Sequence, residues 1–213
     1  MARRIALAIL ALSLATAARA APVLLVFGDS LSAGYGLDAD SGWVSLLAQK
    51  LKNVHSPYEV VNASLSGETT AGGLARLPAA LTRNQPAIVL IELGANDGLR
   101  GLSLAAMRSN LEEMIDLTRA AKAAPALFEM RVPANYGPAY TDRFTGTFGD
   151  VSTLKKVPLV PFFLAAIAGD RARWFQEDGL HPITEAQPKL LDAIWPTLMP
   201  MLKMPASSGG IRP

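Results

Sequence analysis

In "VFGDSLSAGYG", residues 26–36, a serine follows an apolar run and an aspartate. Its hydroxyl either caps a helix or acts as a nucleophile. A serine hydroxyl attacks poorly until a neighbouring base takes its proton, and histidine is the usual base near neutral pH. The chain has two histidines. One of them, His181 in "EDGLHPITEAQ", has Asp178 three residues before it. That spacing lets the carboxylate fold back on the imidazole and hold its tautomer. "DGLHP" also reads as a turn, with Asp-Gly bending the chain and His-Pro opening a helix, and the two readings are compatible.

Acyl transfer also needs donors for a developing oxyanion. Gly67 in "SLSGETTAGG" can bring its N–H close to a ligand, Asn96 in "LGAND" can offer a side-chain amide, and the N–H of Ser30 is a third donor. Taken singly, each glycine or asparagine reads equally as loop punctuation; the set is what points to chemistry. "GDSLS" has no glycine two residues after the serine, which excludes the nucleophile-elbow pattern of α/β-hydrolases. Asp29 and Asp97 flank the proposed site, and we expect them to brace their loops by accepting N–H bonds.

These residues must be carried to one place by the fold. Short apolar runs at Val23–Phe27, Glu59–Asn62, Ile88–Leu93, Ala126–Met130 and Val157–Val160 read as strands. Amphipathic stretches at Trp43–Leu51, Thr70–Thr82, Leu104–Ala121, Tyr140–Leu154 and Thr184–Leu202 read as helices, with Pro188, Pro196 and Pro200 as kinks or an early end to the last. The alternation predicts right-handed βαβ units and a parallel sheet with helices on both faces. In such a sheet ligands bind where strands end. Ser30, "SLSGET" and "GAND" follow the first three strands, whereas His55 leads from a helix into a strand at the opposite rim. His181 is therefore the eligible base.

Two side-chain groups have open readings. Glu92 and Arg131, at the ends of the third and fourth strands, form a paired bridge near the site or are solvated strand ends. Tyr136, Pro138 and Tyr140 in "VPANYGPAY" line an apolar acyl groove or pack their loop onto the core.

Composition bounds the rest. Arg3 and Arg4 precede an uncharged apolar run from Ile5 to Ala18, and Ala18-Arg19-Ala20 is a small-x-small site. This is the pattern of a signal peptide over 1–20, too short for the ~20 apolar residues of a membrane span. The expectation is export, to the periplasm or outside, as one domain over 21–204 with a disordered Gly/Pro/Ser-rich tail over 205–213. Removing Arg3, Arg4 and Arg19 leaves 17 of 20 basic residues against 18 acidic ones, so there is no nucleic-acid footprint. With no cysteine, disulfides, thiolate metal sites and a cysteine nucleophile are excluded.

"FGDSLSAGYG", "NASLSGETTAGG", "LIELGANDGLRG" and "DGLHP" occur in the order and near the spacing of the four blocks of the SGNH, or GDSL, hydrolases. The chain resembles that family over nearly its whole length after residue 20. "GLARLPAAL", "PANYG" and "VPLVPFF" are similar to its bacterial periplasmic thioesterase, lysophospholipase and arylesterase branch. The resemblance implies a flavodoxin-like, three-layer α/β/α sandwich with five parallel strands in the order 2-1-3-4-5. It also implies Ser30 as nucleophile, His181 as base, Asp178 as orienting acid, and Ser30, Gly67 and Asn96 as the oxyanion hole. Related sequences often have a second glycine where this chain has Ala95, which is tolerated unless that position needs a positive φ. The expected activity is serine-dependent hydrolysis of aryl esters, thioesters or lysophospholipids, with no metal or organic cofactor. Two rival readings are a metallohydrolase using Asp29, Asp97, Asp178 and His181, and a non-catalytic acyl- or glycan-binding module on the same fold.

Overall fold

The computed structural model describes residues 21–202. The expected leader and tail lie outside those residues. Five parallel strands, β1 (Val23–Gly28), β2 (Glu59–Asn62), β3 (Ile88–Glu92), β4 (Ala124–Phe128) and β5 (Leu159–Val160), form one sheet in the order β2-β1-β3-β4-β5. β1 and β3 are buried almost throughout. This is why they read as unbroken apolar runs rather than alternating ones.

Two helical layers cover the sheet. On one face lie α3 (Thr70–Asn84), α5 (Leu104–Ala120) and α6 (Pro138–Lys155), packed side by side. On the other, α2 (Trp43–Asn53) packs on α8 (Gln187–Leu198). Leu77 and Leu81 from α3, with Leu111, Met114 and Ile115 from α5, supply the buried stripe of the first layer. Leu47 and Leu51 from α2, with Leu190 and Ile194 from α8, supply that of the second. Ser103 caps α5 through a bond from Ala106 N, and Thr69 caps α3 through one from Gly72 N.

The differences from the sequence expectations have local causes. β4 starts two residues early and contains Pro125. Leu127 N and Glu129 N donate to Pro158 and Val160, so Pro125 stands on the β5 side before that strand begins, where no donor is required. α6 begins at Pro138 rather than Tyr140 because proline suits the first turn, and Pro188 enters α8 the same way without kinking it. Two short helices, α1 (Ser30–Ala33) and α4 (Ala95–Leu99), are too brief to show a period in sequence. A last short helix, α7 (Arg171–Trp174), precedes the His181 segment.

Beneath the rim where the strands end, Phe128 is wholly buried between Trp43 and Phe163, with ring centroids 5.9 and 5.5 Å away. This cluster joins the sheet to the α2/α8 layer. Phe128→Ala should lower stability by about 3–5 kcal/mol, as for other buried aromatic truncations; denaturant titration monitored by far-UV circular dichroism checks it.

Candidate active site

The segment leaving β1 turns at once into α1. Asp29 caps that helix, accepting from Leu31 N at 3.0 Å, and Gly34 ends it with φ +76°. Ser30 is thereby fixed at the first position of α1, on the rim of the sheet. From 151 residues away in sequence, His181 brings Nε2 to 2.8 Å from Ser30 Oγ. Its Nδ1 lies 2.6 Å from Asp178 Oδ2. The other Asp178 oxygen accepts from Leu180 N at 2.8 Å and His181 N at 3.0 Å. Both carboxylate oxygens are thus held, and the ring is aimed through a nitrogen whose partner sets the tautomer. Burial pulls the Asp178 carboxyl upward, but the bonds from the His181 ring and the two backbone N–H groups outweigh it and leave a pKa of about 2.

Asn96, near the start of α4, donates from Nδ2 to Asp29 Oδ2 at 3.0 Å. One N–H of that amide is therefore committed to orienting the group. The positive φ of the loop, +115°, falls on Gly94 and not on Ala95, so the alanine is accommodated as the first residue of α4. Gly67 has φ +78°, a conformation that favours glycine, and its carbonyl accepts from the Arg100 guanidinium at 2.9 Å. Asp97 accepts from Thr70 N at 2.8 Å and Thr70 Oγ1 at 2.5 Å, tying the loop after β3 to the start of α3. His55, exposed and at φ +54°, lies in the helix-to-strand connection before β2, at the other rim.

Two expectations need correction. Glu92 does not pair with Arg131. Its side chain points into the core at 0% exposure, accepts from Ser32 Oγ at 2.6 Å and Asp29 N at 3.3 Å, and leaves Oε1 without a partner. Arg131 turns outward to Glu129 at 2.8 Å. Burial, and then the charge of Asp29, push Glu92 well above the ordinary carboxylate range, which removes the need for a cation. Tyr136, Pro138 and Tyr140 do not line the cavity beside Ser30. The tyrosine hydroxyls donate to Leu99 O at 2.8 Å and Gly98 O at 3.2 Å, and their rings stack 6.0 Å apart, while Pro138 opens α6. They brace the loop after β3.

The cavity itself is about 410 Å³ and includes Ser30, Gly67, Asn96 and His181 in its wall. Its apolar side comes from Leu99, Met130, Val132, Phe162, Leu164 and Phe175. The sequence reading names none of these side chains, although Val132 opens the "VPANYGPAY" segment it singles out. Their signal was position alone, since Met130, Val132 and Phe162 follow β4 and β5 within four residues. The metal reading loses its ligand set, because Asp29 faces Leu31 and Asn96 while Asp97 faces Thr70. Among the described residues no three His, Cys, Asp or Glu groups are arranged to hold an ion.

Residues 26–187 match the model of the GDSL-like Lipase/Acylhydrolase family. The chain is 50% identical over 193 residues to Esterase TesA of Pseudomonas aeruginosa, covering 91% of this chain and 96% of that one. It is 43% identical over 185 residues to Thioesterase 1/protease 1/lysophospholipase L1 of Escherichia coli, covering 87% of each. The fold superposes on a crystal structure of the psychrotrophic esterase EstA from Pseudoalteromonas sp., inhibited by monoethylphosphonate, with TM-score 0.80 and 43% identity, covering 84% of this chain and 97% of that one.

Asp29 provides a pH test of the loop. Burial raises its carboxyl from 3.8 to about 6, against the opposing bond from Leu31 N. Between those values the folded chain holds a proton that the unfolded chain has lost, so this group makes stability fall as pH rises from about 4 to about 6. Asp29→Asn should flatten that part of the stability profile, measured by urea unfolding at half-unit pH steps.

Proposed function

The chain belongs to the GDSL-like lipase/acylhydrolase family and hydrolyses carboxylic esters or thioesters, and we propose that Ser30, His181 and Asp178 carry out that hydrolysis through an acyl-enzyme. Ser30 Oγ attacks the acyl carbonyl as His181 Nε2 takes its proton, and Asp178 stabilises the imidazolium that results. The oxygen–carbon bond forms, and the carbonyl oxygen takes up the electron pair. The N–H groups of Ser30 and Gly67 and the Asn96 amide face that oxyanion. Collapse expels the alcohol or thiol, which His181 protonates. Water, activated by the same imidazole, then releases the acid and restores Ser30.

The observation that carries this reading is the continuous chain from Ser30 Oγ through His181 to Asp178, at 2.8 and 2.6 Å, opening on an apolar cavity. A cavity with an apolar wall on one side suits the acyl part of an aryl ester, an acyl thioester or a lysophospholipid, and we assign the substrate to that class. Export belongs to the same reading, supported by the charged, apolar and small-residue order of residues 1–20. It predicts a mature chain starting at Ala21, checked by N-terminal sequencing of the exported protein.

A fluorophosphonate should label the wild-type protein once per chain. Ser30→Ala should abolish labelling and turnover, and His181→Ala should slow both strongly. Ligand binding without labelling would instead indicate a non-catalytic binding module. Asn96→Ala should lower kcat by about 10²–10³-fold on a soluble aryl ester, the cost of losing one oxyanion donor; unchanged kcat would remove Asn96 from that role.

A further inference from the structure

His181 does not stand on the sheet. It sits in a small hairpin in which Phe175 and Pro182 form an antiparallel bridge, Gln176 N donates to His181 O at 2.8 Å, and Ile183 N donates to Trp174 O at 2.9 Å. The hairpin sets the histidine relative to Asp178, because both belong to the same turn. It does not by itself set the histidine relative to Ser30, which rides on α1. A reactive hydrogen bond of one proton is a weak tether for two separate loops, and its geometry must already be right when the substrate arrives.

The side chain of Gln176 crosses that gap. Its Nε2 donates to Tyr35 O at 2.8 Å, on the loop just beyond α1, and to Pro182 O at 3.2 Å, on the residue after His181. One amide nitrogen thus spends both hydrogens joining the Ser30 segment to the His181 segment. The ring of Tyr35, whose carbonyl takes this bond, lies 4.5 Å from the His181 ring at a 40° tilt. Gly36 has φ +72°, and a Cβ there would collide with the Gln176 side-chain oxygen, so the loop leaves this channel open for the amide. Gln187 secures the other side of the hairpin. It is 2% exposed, donates to Ile183 O at 3.2 Å and accepts from Trp43 N at 3.0 Å.

We propose that Gln176 is a positioning residue for the hydrolytic reaction: by joining the Tyr35 and Pro182 carbonyls it holds the His181 ring in register with Ser30 Oγ. This rests on the assignment of Ser30 and His181 under Proposed function. Glutamate has the same shape but presents oxygen where the two carbonyls require N–H, so it replaces two attractions by repulsion. A shift of the imidazole of even an ångström or so costs up to about 10²-fold in rate.

The test compares Gln176→Glu, Gln176→Ala and Gly36→Ala with wild type and Ser30→Ala on a soluble aryl ester at neutral pH. Expected are a 10–100-fold loss of kcat in both Gln176 variants, with KM changed less than about twofold. Fluorophosphonate labelling of Ser30 should slow in parallel, and Gly36→Ala should lose rate in the same sense. The hydrogen-bonded Nδ1 proton of His181 should persist in the NMR spectrum, because the bond to Asp178 lies within the hairpin. Wild-type kcat in both Gln176 variants overturns the proposal. So does a rate loss that matches the fraction of unfolded enzyme or that is accompanied by loss of the Nδ1 proton, since either marks general structural damage. If Ser30→Ala keeps full turnover, the assignment of the nucleophile fails instead, whatever the Gln176 variants do.

Discussion

Parallel pairing of β1 between β2 and β3 is the constraint on which the site depends. Val26 aligns with Asn62 on one side and with Leu90 on the other, so the three strands finish at the same rim. The chain leaves that rim three times, with Ser30, Gly67 and Asn96 each within five residues of a strand end. A shift of one strand along another would move its loop by about 3.3 Å per residue and carry a donor out of reach. Burial of both faces resists such a shift, because residues 24–27 of β1 and 88–91 of β3 all lie in the apolar core.

Rigid placement has an electrostatic cost. Three carboxyl groups, Asp29, Glu92 and Asp97, are at most 3% exposed beneath the reactive serine and asparagine. Unpaired buried charges are strongly unfavourable. Here Asp29 is matched to Leu31 N and the Asn96 amide and Asp97 to Thr70, while Glu92 accepts from Ser32 and Asp29 N, leaves Oε1 unmatched and is instead pushed by burial towards its neutral form. Donor N–H groups fix direction in a way that a mobile lysine or arginine would not, and the loops that hold Ser30 and Asn96 are cross-linked through them. Arg100 reaches the Gly67 carbonyl on another loop, whereas Arg131 pairs with Glu129 within its own segment.

Much of this is legible in the sequence, because strand-helix alternation and the histidine count constrain the answer physically. The strand order came from family likeness alone, since nothing in periodicity says which strands are neighbours. Glu92 was misread because a charge at a strand end has two inexpensive fates, a cation partner or neutralisation, and sequence does not say how deep the position lies. The tyrosines of "VPANYGPAY" keep two readings in the sequence for a related reason. A ring with a hydroxyl serves as wall or as brace depending on whether a carbonyl waits at its tip, and Leu99 and Gly98 supply those carbonyls from another loop. Gln176 carries no sequence signal of its role, since an amide in a turn has no periodic or charge signature.

The distance along the chain between Ser30 and His181, 151 residues, has a consequence for biosynthesis. A nascent polypeptide emerges from its amino end, so the serine and the first three strands are made well before the imidazole, whereas β5 precedes it only shortly. Until the final hairpin docks, an early intermediate has a hydroxyl with no base. Enzymatic competence thus arrives late and all at once, which makes turnover a faithful signal that the carboxyl-terminal third has found its place.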